Sequence, residues 1–188
     1  MRVILAVSAV SALFAGSLDA QWGGMGGRRR GGFGRSQRGE GAESQTRGYL
    51  NPLTLAALPG FTHAVKVGPV TYVSGELPLD SAGHLVGGGD LGAQARQAFA
   101  NLEIALRLAW AHPADVVELR MYVVNLSPSD LQTVRDAAPQ FFPAKNPPAG
   151  TVLGVVALPV TGALIAVDAV AITPPDRTHS GDTHRDGM

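Results

Sequence analysis

The chain has 188 residues, 45% of them hydrophobic and 16% charged, with 15 basic and 15 acidic side chains and no cysteine. Its length and apolar content point to one domain with a core of its own plus flanking segments. The missing cysteines exclude a disulfide framework, a thiol nucleophile and a cysteine-ligated zinc site, and the balanced charge names no partner.

Arg2 is the sole charge before Asp19, and Val3 to Gly16 between them is short and apolar. Leu18-Asp19-Ala20 then sets a small residue before Gln21. This order predicts a secretory signal peptide over 1–20, since the run is short for a membrane span. The alternative, a buried first helix, fits this order less well. The mature protein is therefore expected outside the cytoplasm, periplasmic or secreted. Residues 21–48 carry ten glycines and six arginines against two glutamates. Such a segment cannot bury enough apolar surface to fold and is expected to be disordered. The arginines from Arg28 to Arg38, interleaved with Phe33, are of the kind that touch nucleic acid or an anionic surface. The composition favours a flexible spacer instead.

The folded domain is predicted over 49–174. Tyr49 to Pro59 reads as an irregular lead-in. Phe61 to Val67 and Val70 to Ser74 read as a hairpin about Gly68-Pro69. Gly75 to Gly89 is a glycine-rich loop. Asp90 caps a helix of about twenty residues, whose apolar stripe runs through Leu91, Ala95, Ala98, Leu102, Ala105, Leu106 and Ala109. His112-Pro113 ends it. Val116 to Leu126 is a strand, and Ser127-Pro128 starts a second helix reaching Phe141-Phe142, with Pro139 expected to kink or shorten it. Two strands follow, from the Pro147-Pro148 region to Pro159 and from Leu164 to Ile172. The order ββαβαββ predicts an α+β layer, one mixed sheet with two helices on one face. Alternation puts Leu119, Met121 and Val123 on one face and Glu118, Arg120 and Tyr122 on the other. Ala166, Asp168 and Val170 likewise oppose Ile165, Val167 and Ala169. The second face is still partly apolar and calls for a cover, most economically a symmetric oligomer. Residues 175–188 are polar and expected to be a disordered tail.

Phe61 to Ile172 resembles the RidA (YjgF) family. The likeness rests on Val70-Thr71-Tyr72-Val73-Ser74-Gly75-Glu76-Leu77-Pro78, the loop from Asp80 to Gly89, and Gln94-Ala95-Arg96-Gln97-Ala98 with Asn101-Leu102. It continues in Pro113 to Val124, Phe141-Phe142, Pro148-Ala149, Val155 to Pro159 and Ala169-Val170-Ala171. The resemblance implies the family's chorismate-mutase-like domain and a homotrimer packed through the open sheet face. It also implies a small-molecule ligand held in clefts between subunits, and hydrolysis of imines and enamines without metal or cofactor. The family's cleft arginine, which follows Pro-Ala, falls at Gly150, so its bidentate carboxylate clamp is absent. The family's water-placing glutamate falls at Ala166, a tyrosine at Phe61 and an asparagine at Arg135. Ser74-Gly75 is retained, and Thr151 and Val152 follow Gly150.

Two replacements stand out for the lost groups: Arg120 for the cation and Asp168 for the water-ordering carboxylate. The competing reading makes them a structural ion pair. Of the histidines His63, His84, His112, His179 and His184, none has metal-ligand spacing, so no metal is expected. Ser74 lacks the surroundings of a nucleophile elbow, and Gly87-Gly88-Gly89 lacks the lysine of a phosphate loop. Two function classes remain open: a deaminase-type hydrolase with altered specificity, and a non-catalytic member binding a small molecule or a protein in the inherited cleft.

Overall fold

The computed structural model describes residues 46–57 and 59–175. The expected signal peptide, nearly all of the glycine-arginine segment and all but the first residue of the tail lie outside the described residues.

The domain is one six-stranded mixed sheet with two helices. The strands are β1 (Arg47–Leu50), β2 (Ala64–Val67), β3 (Val70–Glu76), β4 (Val116–Val124), β5 (Ala149–Val155) and β6 (Ile165–Ile172). The helices are α1 (Leu91–Leu108) and α2 (Asp130–Ala137). The sheet order is β1-β2-β3-β6-β4-β5, with β4 and β5 parallel and the other neighbours antiparallel. The expected order thus gains a strand. Arg47 to Leu50, divided at sequence level between spacer and lead-in, pairs with β2 as the sheet edge, so the domain begins at least two residues earlier than 49. β2 starts at Ala64 rather than Phe61, since the residues before it run irregularly past the edge.

Asp90 caps α1 as expected: its carboxylate accepts hydrogen bonds from the N–H groups of Gly92 and Ala93 at 2.8 and 3.2 Å. The α1 stripe is buried through Ala95, Ala98, Leu102, Ala105 and Leu106, joined by Phe99. α2 is shorter than expected. It stops at Ala137, and Pro139, which lacks an N–H and clashes with the preceding turn, opens a separate 3-10 turn to Phe141. Phe141 is buried and its ring centroid lies 5.0 Å from that of Phe99.

Both helices contribute to one core with Leu119, Met121 and Val123 of β4 and Ile165, Val167 and Ala169 of β6. The alternation read from these strands is therefore the observed one. A smaller cluster gathers Leu77, Leu79, Ala163 and Ala166, with Tyr122, Leu158 and Val160 packed against it. Among the described residues no helix is long and apolar enough to cross a membrane.

Two buried amides tie the glycine-rich loop to this frame. Gln94, fully buried on α1, donates to the carbonyls of Gly88 and, at 2.9 Å, Gly162, and accepts from the Leu164 N–H at 2.7 Å. Asn101 donates to the carbonyls of Leu77 and Leu79 at 2.8 and 2.9 Å. The segment after β3 is thereby fixed on α1, and the loop before β6 is fixed with it.

Candidate functional site

The residues singled out in the sequence fall into three groups. The first surrounds a cavity of about 520 Å³ lined by Phe61, Ser74, Gly75, Leu77 and the β5–β6 loop residues Pro159 and Val160. The pairing of β3 with β6 shifts between Val73 and Glu76, and Ser74 and Gly75 sit in that irregularity. A bulge re-aims the residues it contains. The Ser74 N–H donates to the His63 carbonyl at 2.8 Å and its hydroxyl to the Thr62 carbonyl at 2.6 Å. Its hydroxyl proton is thus committed to the backbone, which suits a wall rather than a nucleophile. Phe61 is exposed and presents an aromatic face.

The second group surrounds a cavity of about 300 Å³ between α2, β4 and the start of β5, lined by Leu131, Arg135, Phe142, Pro148, Gly150 and Val152 among others. Leu131 and Arg135 are one helical turn apart and so share a face of α2. Gly150 and Val152 stand opposite Leu119 and Met121 in the parallel register. They therefore lie on the helix side of the sheet. A Cβ placed at Gly150 would meet nothing within 4 Å.

Thr151 does not join Gly150. It pairs with Arg120 and lies on the opposite sheet face, because successive strand residues alternate.

The third group is on that open face. Arg120 Nε donates to Asp168 Oδ1 at 2.8 Å, and the Tyr122 hydroxyl donates to Asp168 Oδ2 at 2.9 Å. Arg120 also lies 3.5 Å from Glu118. The Asp168 carboxylate raises Arg120 above its ordinary value and so holds it cationic. Burial, and then the hydrogen bond to Asp168, pushes the Tyr122 phenol up. Arg120 and Asp168 are thus an ion pair with each other. Neither lines either cavity, and both face away from Gly150. Ala166 shares their face and packs in the cluster with Leu77 and Val160 at the edge of the first cavity.

The sequence reading missed one buried ionisable pair. His63 Nδ1 lies 2.8 Å from Glu76 Oε1, and both residues are buried. Hairpin pairing alone sets His63 beside Ser74. The bulge that turns Glu76 inward leaves no mark in the residue types. Among the described residues there is no cluster of acids and histidines able to hold a metal ion.

The two cavities share no lining residue. β3 and β5 are separated by β6 and β4, three strand spacings or about 14 Å.

Comparison with known proteins accounts for this arrangement of positions. Residues 52–173 match the family model described as Endoribonuclease L-PSP. The human 2-iminobutanoate/2-iminopropanoate deaminase is 34% identical over 133 residues, covering 68% of this chain and 93% of the relative. RidA from the Antarctic bacterium Psychrobacter sp. PAMC 21119 superposes with a TM-score of 0.58 at 26% identity, covering 66% of this chain and 98% of that one. YyfB of Yersinia pestis, described as a Rid-family protein of unknown function, reaches 41% identity at a TM-score of 0.52, covering 67% and 98% of the two chains. A family model that spans most of the chain, an ordered likeness from the β2–β3 hairpin to β6 and a shared fold together place the chain in the endoribonuclease L-PSP, or RidA (YjgF), family.

Proposed function

We propose that the chain hydrolyses small imines or enamines in clefts formed where subunits of a homotrimer meet. The observation that carries this reading is the division of the family's cleft positions between two open cavities on one chain. A cleft built from Phe61, Ser74 and Gly75 on one side and Gly150 and Val152 on the other requires two copies. The open sheet face, which exposes Tyr72 and Leu153, supplies the apolar surface for their contact. The relatives named as deaminases support the reaction class.

The reaction asks for positioning more than for strong acid or base. Water adds to the carbon of a protonated imine, a proton moves to nitrogen, and the carbinolamine expels ammonia as the carbonyl forms. Neither cavity is lined by a carboxylate or a histidine. The chain's contribution is then to hold the imine against an aromatic and backbone wall, and the turnover is expected to be slow beside that of members with a glutamate at the position of Ala166.

A second reading has its own support. Gly150 and Ala166 replace both charged groups that the family resemblance assigns to the cleft, which suits a binding module without catalysis. Export through residues 1–20 belongs to the proposal too, and N-terminal sequencing of protein from the producing cell tests it by finding Gln21 or Met1 at the start.

An imine generated in place by an amino-acid oxidase, with semicarbazide trapping what remains, separates the two readings. Hydrolysis well above the no-protein control, by a species of trimer mass, supports the enzyme. A folded trimer without activity supports the binding module. A folded monomer overturns the inter-subunit cleft itself.

A further inference from the structure

We infer that residues 52–57 form a strap latched to the domain by the His63 ring, and that loss of the proton shared by His63 and Glu76 releases it. Of the described residues between Leu50 and His63, Leu55 alone is buried, and Leu53, Thr54 and Ala57 are exposed. Among the described residues one hydrogen bond joins 52–57 to the rest of the domain, the contact of 3.0 Å between His63 Nε2 and the Ala56 carbonyl. The start of the strap is fixed by Asn51, whose Oδ1 accepts from the His63 N–H at 3.1 Å. Phe61 lines the first cavity together with Ser74, and it lines a third of about 510 Å³ together with Asn51, Leu53 and Ala57. The strap therefore backs the aromatic wall of the first cavity.

The ring serves two acceptors at once. Nε2 faces a carbonyl, and Nδ1 lies 2.8 Å from Glu76 Oε1. A neutral imidazole has a single N–H, so both contacts hold only while one further proton sits between Nδ1 and the carboxyl. When that proton leaves, a carboxylate and a carbonyl compete for one ring N–H. A charge-assisted hydrogen bond is about twice as strong as a neutral one, and a buried carboxylate without a partner costs more than a carbonyl without one. The hydrogen moves to Nδ1, and the bare Nε2 then faces the Ala56 carbonyl lone pair against lone pair. The closed strap holds one proton more than the open one, so a rise in pH opens it. Burial raises the Glu76 carboxyl, which keeps the latch closed to higher pH than an exposed carboxyl would. Around the pair lie Leu55 and Ala56 of the strap, Leu77 and Leu79 after β3, and Asn101 of α1, none of them titratable. The cavity on the strap side adds no titratable group besides His63 itself. The latch is independent of the imine reading and stands whatever the cleft binds.

The test uses the full chain, natural and Glu76→Gln, between about pH 5 and about pH 9. Glutamine donates an amide N–H to Nδ1, so in this variant Nε2 keeps its hydrogen and the strap stays closed. Long-range proton–nitrogen spectra read the ring, with the other four histidines replaced by glutamine in turn to assign His63. In the natural protein the hydrogen should leave Nε2 and remain on Nδ1 as pH rises. Hydrogen exchange, corrected for its intrinsic pH dependence, reads the strap. Protection of the amides of 53–57 should fall by roughly three- to tenfold across the same transition, and by more than that of residues 95–106 in α1. Neither change should appear in Glu76→Gln. Three results each overturn the latch: an Nε2 hydrogen retained throughout in the natural protein, a tautomer change without loss of strap protection, or an equal loss in strap and helix. All three are read on the natural protein, so they decide the matter even where the variant does not fold.

Discussion

His63 and Glu76 meet inside the domain with Nδ1 and Oε1 2.8 Å apart and side chains only 5% and 3% exposed. The other ring nitrogen, Nε2, lies 3.0 Å from the carbonyl oxygen of Ala56. A carbonyl only accepts, so Nε2 carries a hydrogen, and one further proton joins Nδ1 to the carboxyl. That proton belongs to the pair rather than to either residue. The pair stiffens the wall of the first cavity, because the His63 carbonyl also accepts from the Ser74 N–H.

Stability should therefore depend on pH in a direction set by Glu76. Burial raises its carboxyl above the ordinary 4.5, against the lowering effect of His63. A raised acid keeps its proton in the folded state over a window in which the unfolded chain has lost it. Stability then falls as pH rises from about 4.5 through the folded value. Glu76→Gln keeps the bridge, since its amide N–H can donate to Nδ1, and should abolish that slope in urea titrations across the window. His63→Ala leaves a buried carboxyl without its partner and should cost about 3 kcal/mol. A natural slope retained in Glu76→Gln would assign the effect to other groups.

The glycine-rich loop should depend on Gln94 more than its neutrality suggests. Gln94→Met preserves volume but removes both donations and the acceptance from Leu164. Buried backbone groups left unpaired should lower stability by about 3 kcal/mol. Gly87→Ala strains the same loop where its backbone approaches the first turn of α1. Gly87 has φ of +86°, and an added Cβ would lie 2.9 Å from the Gln94 backbone nitrogen. A loss of about 2 kcal/mol is expected, read from the urea midpoint. A loss under about 0.5 kcal/mol in both variants would show that the loop relaxes without them.

The open-face ion pair should report through Tyr122. Its phenol is raised first by burial and then by the Asp168 carboxylate. Asp168→Asn should bring its titration down toward the ordinary 10.0 without reaching it, because burial remains. Ultraviolet difference spectra in alkali show this, with Tyr122→Phe identifying the signal against Tyr49 and Tyr72. The stability cost should stay under about 1 kcal/mol, since Arg120 is 40% exposed and solvent screens the pair. An unchanged Tyr122 titration would mean that the pair does not persist in solution.

What was legible in the sequence follows from local periodicity. The α1 stripe and its Asp90 cap are properties of consecutive residues, and the faces of β4 and β6 follow from alternation. Arg47 to Leu50 was not legible as a strand: it is four residues long, begins inside a glycine-arginine segment, and is held by non-local pairing with β2. Alternation also implied that Thr151 faces away from position 150. The register with Arg120 makes this plain. Periodicity reports faces and is silent on strand order, so the separation of Ser74 from Gly150 across the sheet had no local signal. The His63–Glu76 contact depends on a bulge, which the residue types do not announce. Arg120 and Asp168 were legible as facing one way, but only the antiparallel pairing of β4 with β6 shows that they neutralise each other.

Gly150→Arg tests the second cavity most directly. No Cβ contact lies within 4 Å of Gly150, and its backbone is outside the left-handed region that resists side chains. The variant should fold, and removing a strand glycine should add about 0.5 kcal/mol of stability. Its side chain lies on the sheet face of Val152, toward the cavity that holds Arg135. With a second cation there, 2-oxobutanoate, a stable carbonyl counterpart of a 2-imino acid, should bind about tenfold more tightly than to the natural protein, and salt should weaken that binding more steeply. If the cleft is otherwise intact, hydrolysis of carboxylate-bearing imines should rise by about tenfold or more, while neutral imines should show no gain. A folded trimer of Gly150→Arg with neither gain would mean that the cavity does not open onto the cleft between subunits, and the proposed assembly of that cleft from two copies would be wrong.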